Sequence, residues 1–484
     1  MQRQEQLRNI RNSFYLSFRS AFKFEPNLGQ KEVMIRLTEF IINDDDNQCF
    51  LLRGYAGTGK TTLIAALVNS LGLINYKSIL LAPTGRAAKV MSNYSKKPAF
   101  TIHKKIYKTS DDGENRGQFM LAPNLYTNTL FIADEASMIG DASLVSGGGF
   151  GSRSLLEDLF DFVYSGVNCK LLLVGDNAQL PPVGFDDSPA LNKSYLESCF
   201  RQKIIDVELT EVMRQAAESG ILYNATNLRN QLNEEPEIVN PAFECEQFKD
   251  VVRVDGSELE EYLYAAYNEF GDDETLVITR SNKRANLFNQ QIRARIRWQE
   301  SELNAGDLVM AVKNNYYWLP KESKAGFIAN GDALQIVKVK KTIEMYGFNF
   351  AECIVKLSDY EDEASFECMV LMDTILSESP SLTSEEQKKL YNAVMEDLEH
   401  IPEKRLRIIE LKKNPFFNAL QIKFAYAVTC HKAQGGQWEA VFVEQGYITE
   451  ETRNIEWLRW LYTAITRSSK KLYLVNFSEE FFVE

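Results

Sequence analysis

The segment 54–62 constrains the fold of this chain more than any other. Its sequence, Gly-Tyr-Ala-Gly-Thr-Gly-Lys-Thr-Thr, matches the pattern G-x-x-x-x-G-K-[ST]. A short apolar run at 49–53 precedes it, and residues 61–71, which have helical composition, follow it and end at Gly72. A buried parallel strand, a glycine-rich turn and a helix in this order predict an α/β fold that binds a nucleotide phosphate.

The chemistry of this turn follows from its glycines. They let the backbone curl, so that consecutive N–H groups and the N-terminus of the helix face a phosphate. We expect Lys60 to reach the β- and γ-phosphates of ATP, and Thr61 to place its hydroxyl on Mg²⁺. The predicted nucleotide-binding residues of the turn are Gly57, Thr58, Gly59, Lys60, Thr61 and Thr62.

Two further apolar runs end in polar side chains that suit phosphate chemistry. Residues 129–133 are followed by Asp134 and Glu135. Asp134 is the predicted metal ligand, and Glu135 is placed to orient and deprotonate an attacking water. The run at 170–174 leads to Gln179, whose amide can hydrogen-bond a γ-phosphate or that water.

Composition limits the remaining choices. At about 150 residues per domain, 484 residues predict about three domains. The net charge of −13 argues against a protein that coats nucleic acid, but leaves open one that concentrates its basic and aromatic groups in one channel. Seven scattered cysteines without a C-x-x-C pair argue against a zinc site and a disulfide framework. No apolar run approaches the ~20 residues that cross a bilayer, and no signal-peptide core is visible, so we expect a cytoplasmic protein without a membrane partner.

An ordered set of motifs extends over most of the chain. Its members are Gln30 and the segments 54–62, 82–88, 101–103, 134–138, 175–180, 209–215, 428–435 and 461–467. This set resembles that of the superfamily 1 DNA helicases of the RecD-like/Dda-like branch. The resemblance implies two RecA-like P-loop NTPase lobes, with ATP between them and single-stranded DNA across their top. It also implies a hairpin insertion in the first lobe and an SH3-like β-barrel insertion in the second.

Domain boundaries follow from the resemblance together with the sequence pattern. We expect an N-terminal helical extension at 1–24, a first lobe at 25–215 with a pin-like insertion at 104–128, a second lobe at 216–300 and 421–484, and an SH3-like insertion with an acidic helical segment at 301–420.

The resemblance also implies roles for single residues. Gln30 would contact the adenine edge, Arg214 and Arg467 would be arginine fingers, and Gly435 would help couple the second lobe to the nucleotide. A cation that reaches the γ-phosphate only when the lobes close makes hydrolysis depend on closure. Phe119, at the edge of the pin hairpin, would stack on the terminal base pair. The residues implied to contact DNA are Thr84, Thr101, His103, Phe119, Thr429 and His431.

The motif set favours an ATP- and Mg²⁺-dependent helicase that moves 5′-to-3′ on single-stranded DNA and unwinds duplexes at single-strand/double-strand junctions. We expect a monomer that serves replication, recombination or repair, and the sequence leaves a loader or another protein partner open. The net charge of −13 favours one alternative, an ATP-gated clamp or remodeller that grips DNA without separating strands. A nuclease-helicase is disfavoured because no acidic metal cluster stands out in the sequence beyond the ATP site. The polarity rests on the resemblance alone.

Overall fold

The computed structural model describes residues 2–43, 45, 47–109, 119–140, 154–213, 218–234, 238–320, 323, 325–360 and 363–483, with the side chains of all of these except 2–4, 109 and 119.

A six-stranded parallel sheet organises the N-terminal half. Its strands lie in the order β3-β2-β6-β7-β1-β8, so the carboxyl ends of β6, β7 and β1 are neighbours at one edge. The elements are α1 (Gln2–Ala21), α2 (Leu28–Ile42), β1 (Gln48–Gly54), α3 (Lys60–Ser70), β2 (Lys77–Ala82), α4 (Gly85–Ser95), β3 (Ala99–Thr101), α5 (Ile102–Ile106), β4 (Tyr107–Thr109), β5 (Phe119–Leu121), β6 (Thr127–Ala133), α6 (Leu155–Tyr164), β7 (Val167–Gly175), α7 (Lys193–Phe200) and β8 (Lys203–Leu209).

Two hydrophobic layers hold this first lobe together. One face of the sheet packs against α2 and α3, and the other against α6. Helix α1 adds to the first layer through the buried Phe14 and Phe18, four residues apart on one side of the helix, and Phe22, directly after its end, is buried with them. The N-terminal helix is therefore packed onto the core of the lobe.

The hairpin insertion of the first lobe is present. Strands β4 and β5 pair antiparallel, with Tyr107 opposite Leu121 and Lys108 opposite Met120. Residues 110–118 and the Phe119 side chain lie outside the described part, so the stacking role of Phe119 stays a prediction.

A second parallel sheet and a barrel form the C-terminal half. The sheet has the order β16-β10-β17-β18-β9, and β11 to β15 close into a barrel between α10 and β16. The elements are α8 (Gly220–Glu234), β9 (Val251–Val254), α9 (Leu259–Phe270), β10 (Thr275–Thr279), α10 (Asn282–Gln291), β11 (Leu308–Ala311), β12 (Ala333–Met345), β13 (Phe348–Leu357), β14 (Phe366–Leu371), α11 (Ser384–Asp397), α12 (Lys404–Leu411), β15 (Leu420–Phe424), β16 (Ala427–Thr429), α13 (Cys430–Ala433), β17 (Trp438–Glu444), α14 (Ile455–Ile465) and β18 (Ser468–Val475).

The expected fold class is confirmed: two α/β lobes, a hairpin in the first and a closed five-stranded barrel in the second. Within the described residues, no helix has the length and apolar character needed to cross a bilayer.

The barrel also touches the first lobe through a buried carboxylate. Asp332 is 1% exposed, and its Oδ2 accepts the N–H of Ala329 at 2.8 Å. Its Oδ1 has no hydrogen-bond partner in the described structure and lies so close to Gly85, at the start of α4, that a Cβ placed there would be 2.6 Å away. Burial, with a smaller contribution from Asp359, raises the pKa of Asp332 to about 7, although Lys104 nearby lowers it.

We expect Asp332→Asn to stabilise the protein at pH 8 by about 1–3 kcal/mol, and by a smaller amount at pH 5. The folded protein keeps the proton on Asp332 up to about pH 7, whereas the unfolded chain loses it near pH 4. Stability is therefore lost as the pH rises between these values, and the neutral amide avoids that loss. Urea unfolding at both pH values measures the difference.

Asp307 provides the matched control. It is also fully buried, but the guanidinium of Arg293 binds both of its carboxylate oxygens, at 2.8 and 2.9 Å. Asp307→Asn should destabilise the protein at both pH values, because it breaks a buried ion pair. A less stable Asp332→Asn variant at pH 8 would contradict the prediction.

Candidate active site

The predicted phosphate loop connects β1 to α3. Gly57 and Gly59 have φ values of 76° and 84°, which glycine adopts without steric cost. The Lys60 ammonium donates to the carbonyl oxygens of Gly54 and Tyr55, the latter at 2.9 Å. The lysine thus lies folded against the loop, within reach of an anion that enters it.

Gln30 is fully buried and links α2 to this loop. Its Nε2 donates to the carbonyl oxygen of Thr58 at 2.9 Å and contacts Met213 Sδ at 3.0 Å. Its Oε1 accepts the N–H of Asn27 at 3.1 Å, as part of the N-terminal cap of α2. The side chain therefore lies at the nucleotide loop with all its polar atoms engaged, and an adenine contact would have to replace one of these bonds.

The end of β6 carries the two predicted carboxylates. Asp134 Oδ1 accepts the N–H of Glu135 at 2.9 Å. Burial and the Glu135 carboxylate raise the pKa of Asp134 to about 7, and Lys60 acts in the opposite direction. A carboxylate in such a place is stabilised in its charged form by a divalent cation. Together with the hydroxyl of Thr61 at the start of α3, it offers the oxygen ligands that Mg²⁺ prefers, so the residues present fit this ion.

An arginine from the second lobe approaches these carboxylates. Arg467, between α14 and β18, is 3% exposed, and its Nη1 lies 4.0 Å from Glu135 Oε1. Glu135 itself has φ 53°, a left-handed backbone conformation that residues other than glycine adopt only rarely. The other predicted arginine finger, Arg214, lies outside the described residues.

Gln179 lies in the turn that follows β7. It is 7% exposed, and its Oε1 has no hydrogen-bond partner in the described structure. The residue lines a polar cavity of about 360 Å³ together with Ser137, Asp176 and Arg459. A buried amide oxygen without a partner needs a donor from elsewhere, and a water molecule can supply one.

The predicted DNA-contacting hydroxyls sit at helix N-termini. Thr84 Oγ1 accepts the N–H of Ala87 at 3.2 Å and caps α4, and Thr101 Oγ1 accepts the N–H of Lys104 at 3.3 Å and caps α5. Thr429 stands at the N-terminus of α13 without such a bond. A capping hydroxyl uses a lone pair for the helix and keeps its O–H to donate elsewhere.

The two predicted DNA-contacting histidines are partly buried. Burial lowers the pKa of His103 to about 4, and it also lowers the pKa of His431. Both rings are therefore neutral at pH 7 and can contact DNA by hydrogen bonds or stacking, without contributing positive charge.

Gly435 of the second lobe lies against the first lobe. A Cβ placed on it would be 3.0 Å from Ala87 Cβ, 3.3 Å from Met138 Sδ and 3.5 Å from Thr84 Oγ1. Gly435 therefore lies between the N-terminal cap of α4 and the segment that follows β6.

Arg86 joins the lobes, although the sequence pattern assigned it no role. Its Nη2 donates to Glu274 Oε1 at 3.0 Å and to the carbonyl oxygen of Gln437 at 2.9 Å, and its Nη1 lies 3.6 Å from Asp359 Oδ1. The guanidinium also lies over the Trp438 ring, 5.1 Å from its centre. The position of Arg86 within the 82–88 motif is the sequence signal that could have pointed to its role.

Comparison with known proteins gives matches to both lobes. A family model described as "AAA domain" matches residues 27–239, and one described as "UvrD-like helicase C-terminal domain" matches residues 424–475. The ATP-dependent DNA helicase dda of Enterobacteria phage T4 is 33% identical over 183 residues, which are 37% of this chain and 37% of that protein. The ATP-dependent RecD2 DNA helicase of Deinococcus radiodurans is 34% identical over 181 residues, 37% of this chain and 21% of that protein.

Other similarities extend along most of the chain at lower identity. An uncharacterized protein of Acanthamoeba polyphaga mimivirus is 23% identical and covers 92% of this chain and 99% of its own length. A solved structure of the Pif1 helicase from Bacteroides in complex with ADP-AlF3 and ssDNA is 14% identical, covers 96% of this chain and 95% of its own, and gives a TM-score of 0.45.

Proposed function

We propose that this chain, a superfamily 1 DNA helicase of the RecD-like and Dda-like group, moves 5′-to-3′ along single-stranded DNA and unwinds duplexes with the energy of ATP hydrolysis. The observation that carries the proposal is the approach of Arg467 to Glu135, 4.0 Å across the contact between the lobes. A catalytic centre built from two lobes is complete only when they close. Hydrolysis and lobe movement are then coupled in both directions.

The residues at the lobe contact divide the hydrolysis step between them. Thr61 and Asp134 would hold Mg²⁺, which supplies charge neutralisation at the β- and γ-phosphates when bound. Glu135 would take the proton of a water that attacks the γ-phosphorus, while Gln179 Oε1 accepts a hydrogen bond from that water. As the bond to the bridging oxygen breaks, Arg467 would stabilise the charge on the transferred group, and ADP leaves.

The DNA strand would cross the N-termini of α4 and α5 in the first lobe and residues 429–431 in the second. Helix N-termini and hydroxyl donors favour phosphate oxygens, and Thr84 and Thr101 offer both. The neutral His103 and His431 suit contacts that do not depend on charge. This path concentrates the DNA contacts in one groove, which reconciles DNA binding with a net charge of −13.

Strand separation on two tailed duplexes tests the proposal. We expect unwinding of a duplex with a 5′ single-stranded tail and none with a 3′ tail, with ATP hydrolysis followed in the same tubes. Lys60→Ala is the control and should abolish hydrolysis and unwinding together. Unwinding of the 3′-tailed duplex alone would show that the protein moves 3′-to-5′ and contradict the proposed polarity. DNA-stimulated hydrolysis without separation on either duplex would favour the ATP-gated clamp.

A further inference from the structure

A single tyrosine hydroxyl of the second lobe bonds to two segments of the first. Tyr462, on α14, is 1% exposed. Its hydroxyl accepts the N–H of Ala56, in the phosphate loop, at 2.8 Å and donates to Asp176 Oδ2, at the end of β7, at 2.7 Å. The chain thus brings together a loop and a strand end of one lobe through a side chain of the other.

Asp176 shapes the turn that carries Gln179. It is 1% exposed; its Oδ1 accepts the N–H of Ala178 at 2.9 Å, and its carbonyl oxygen accepts the N–H of Gln179 at 3.3 Å. A buried carboxylate needs donors for both oxygens, and Tyr462 supplies the donor for Oδ2. Burial and the nearby Asp176 raise the pKa of Tyr462 well above its usual value, so the hydroxyl keeps the proton that it donates.

The second lobe holds the next residues of the same turn. Thr463 Oγ1 accepts the N–H of Leu180 at 2.8 Å, and Gln434 Nε2 donates to the carbonyl oxygen of Leu180 at 2.7 Å. All three side chains of the second lobe are buried. The turn that carries Gln179 is therefore bound to the second lobe at both of its ends, although it belongs to the sheet of the first.

We propose that Tyr462 is a positioning residue for ATP hydrolysis, whose hydroxyl fixes the phosphate loop and the Gln179 turn relative to each other when the second lobe closes. Separation of the lobes breaks both hydrogen bonds, and the Ala56 N–H and Asp176 Oδ2 must then bond to water. The hydrolytic arrangement thus forms only in the closed state. This inference rests on the proposed ATP hydrolysis, and does not depend on strand separation or on polarity.

Tyr462→Phe tests the inference, because it keeps the ring and removes both hydrogen bonds. We expect kcat for DNA-stimulated ATP hydrolysis to fall about 10- to 100-fold, since a hydrogen bond to a buried charge is lost. The affinity for mant-ADP without DNA should stay within about twofold of the wild type, because the nucleotide first binds the loop of one lobe. This difference between kcat and affinity is what a positioning role predicts and a general loss of structure does not.

Tyr426→Phe is the matched control. Tyr426 is fully buried in the second lobe, where its hydroxyl accepts the N–H of Leu308 at 3.1 Å and contacts Asp307 Oδ1 at 3.3 Å, away from the first lobe. This variant should lower the thermal unfolding midpoint and leave kcat within about twofold. If it reduced kcat as much as Tyr462→Phe does, the inference would be overturned.

Two other results would overturn the inference: an unchanged kcat in folded Tyr462→Phe, or an equal fall in kcat and in mant-ADP affinity. If Tyr462→Phe does not fold, Thr463→Val provides a second test, because it removes the hydrogen bond to the Leu180 N–H. This variant should lower kcat several-fold and leave the affinity for mant-ADP unchanged. A wild-type kcat in Thr463→Val would overturn the inference. Wild-type protein that hydrolyses ATP with DNA but separates no strands would end the helicase proposal and leave this test intact.

Discussion

Replacing Arg467 by alanine is expected to lower kcat for DNA-stimulated ATP hydrolysis by about 10³-fold or more, the size of effect that arginine fingers have. Arg467 is 3% exposed, and its guanidinium donates to the carbonyl oxygens of Thr463 and Gly436, at 3.0 and 3.2 Å, and to the Thr466 hydroxyl. These acceptors are neutral, and the carboxylate of Glu135 is 4.0 Å away. A buried cation so placed gains most from a new negative charge, and the γ-phosphate supplies it.

Arg459→Ala separates this effect from simple adhesion between the lobes. Arg459 also lies on α14 and also reaches the first lobe, where it donates to the carbonyl oxygen of Asp186 at 2.7 Å and to Asp187 Oδ1 at 2.9 Å. Arg459 lines the cavity beside Gln179, but its partners Asp186 and Asp187 take no part in the proposed hydrolysis step, so kcat should fall less than about 10-fold. Steady-state hydrolysis at saturating ATP and DNA compares the two variants. Equal losses would assign Arg467 to lobe adhesion, and a mild loss in Arg467→Ala would make it a structural ion pair.

Much of the site could be predicted from the sequence because its parts are local. The predicted strand at 129–133 is found at Thr127–Ala133, and the helix predicted from Thr61 begins at Lys60. In each case an apolar strand ends in a polar turn, and parallel strands bring such turns to one edge of the sheet. The edge that carries the phosphate loop, the carboxylates and Gln179 follows from this rule.

The contacts between distant segments could not be predicted in this way. Tyr462 lies within a mostly apolar helical run, which is typical of a core residue, and its partner Asp176 is 286 residues away in the chain. The same holds for Asp332, whose Asn-Gly-Asp context predicts a turn and does not reveal its burial against Gly85. Side chains that join two lobes leave no periodic pattern, because their partners are set by how the lobes dock.

The second large effect is expected from Glu135→Gln, which should lower kcat by about 10²- to 10⁴-fold because the amide keeps the shape of the side chain and cannot take a proton. The side chain of Glu135 is 24% exposed, so water reaches it. The hydrogen bond from the Glu135 N–H to Asp134 Oδ1 fixes the backbone at this residue. Retention of radiolabelled ATP on the protein–DNA complex measures the trapped state. Glu274→Gln, which removes a carboxylate that pairs with Arg86 at 3.0 Å, is the control and should hydrolyse ATP nearly normally.

The two catalytic variants should differ in how DNA binding responds to ATP, although both lose hydrolysis. In Glu135→Gln, Arg467 can still meet the γ-phosphate, so ATP should close the lobes and change the affinity for single-stranded DNA as it does in the wild type. Arg467→Ala lacks the cation that meets the γ-phosphate when the lobes close, so ATP should change its affinity for single-stranded DNA much less. Fluorescence anisotropy of a labelled oligonucleotide, with and without ATP, separates these outcomes. Normal hydrolysis by Glu135→Gln would mean that another group takes the proton, while the same ATP response in both variants would mean that closure does not depend on Arg467.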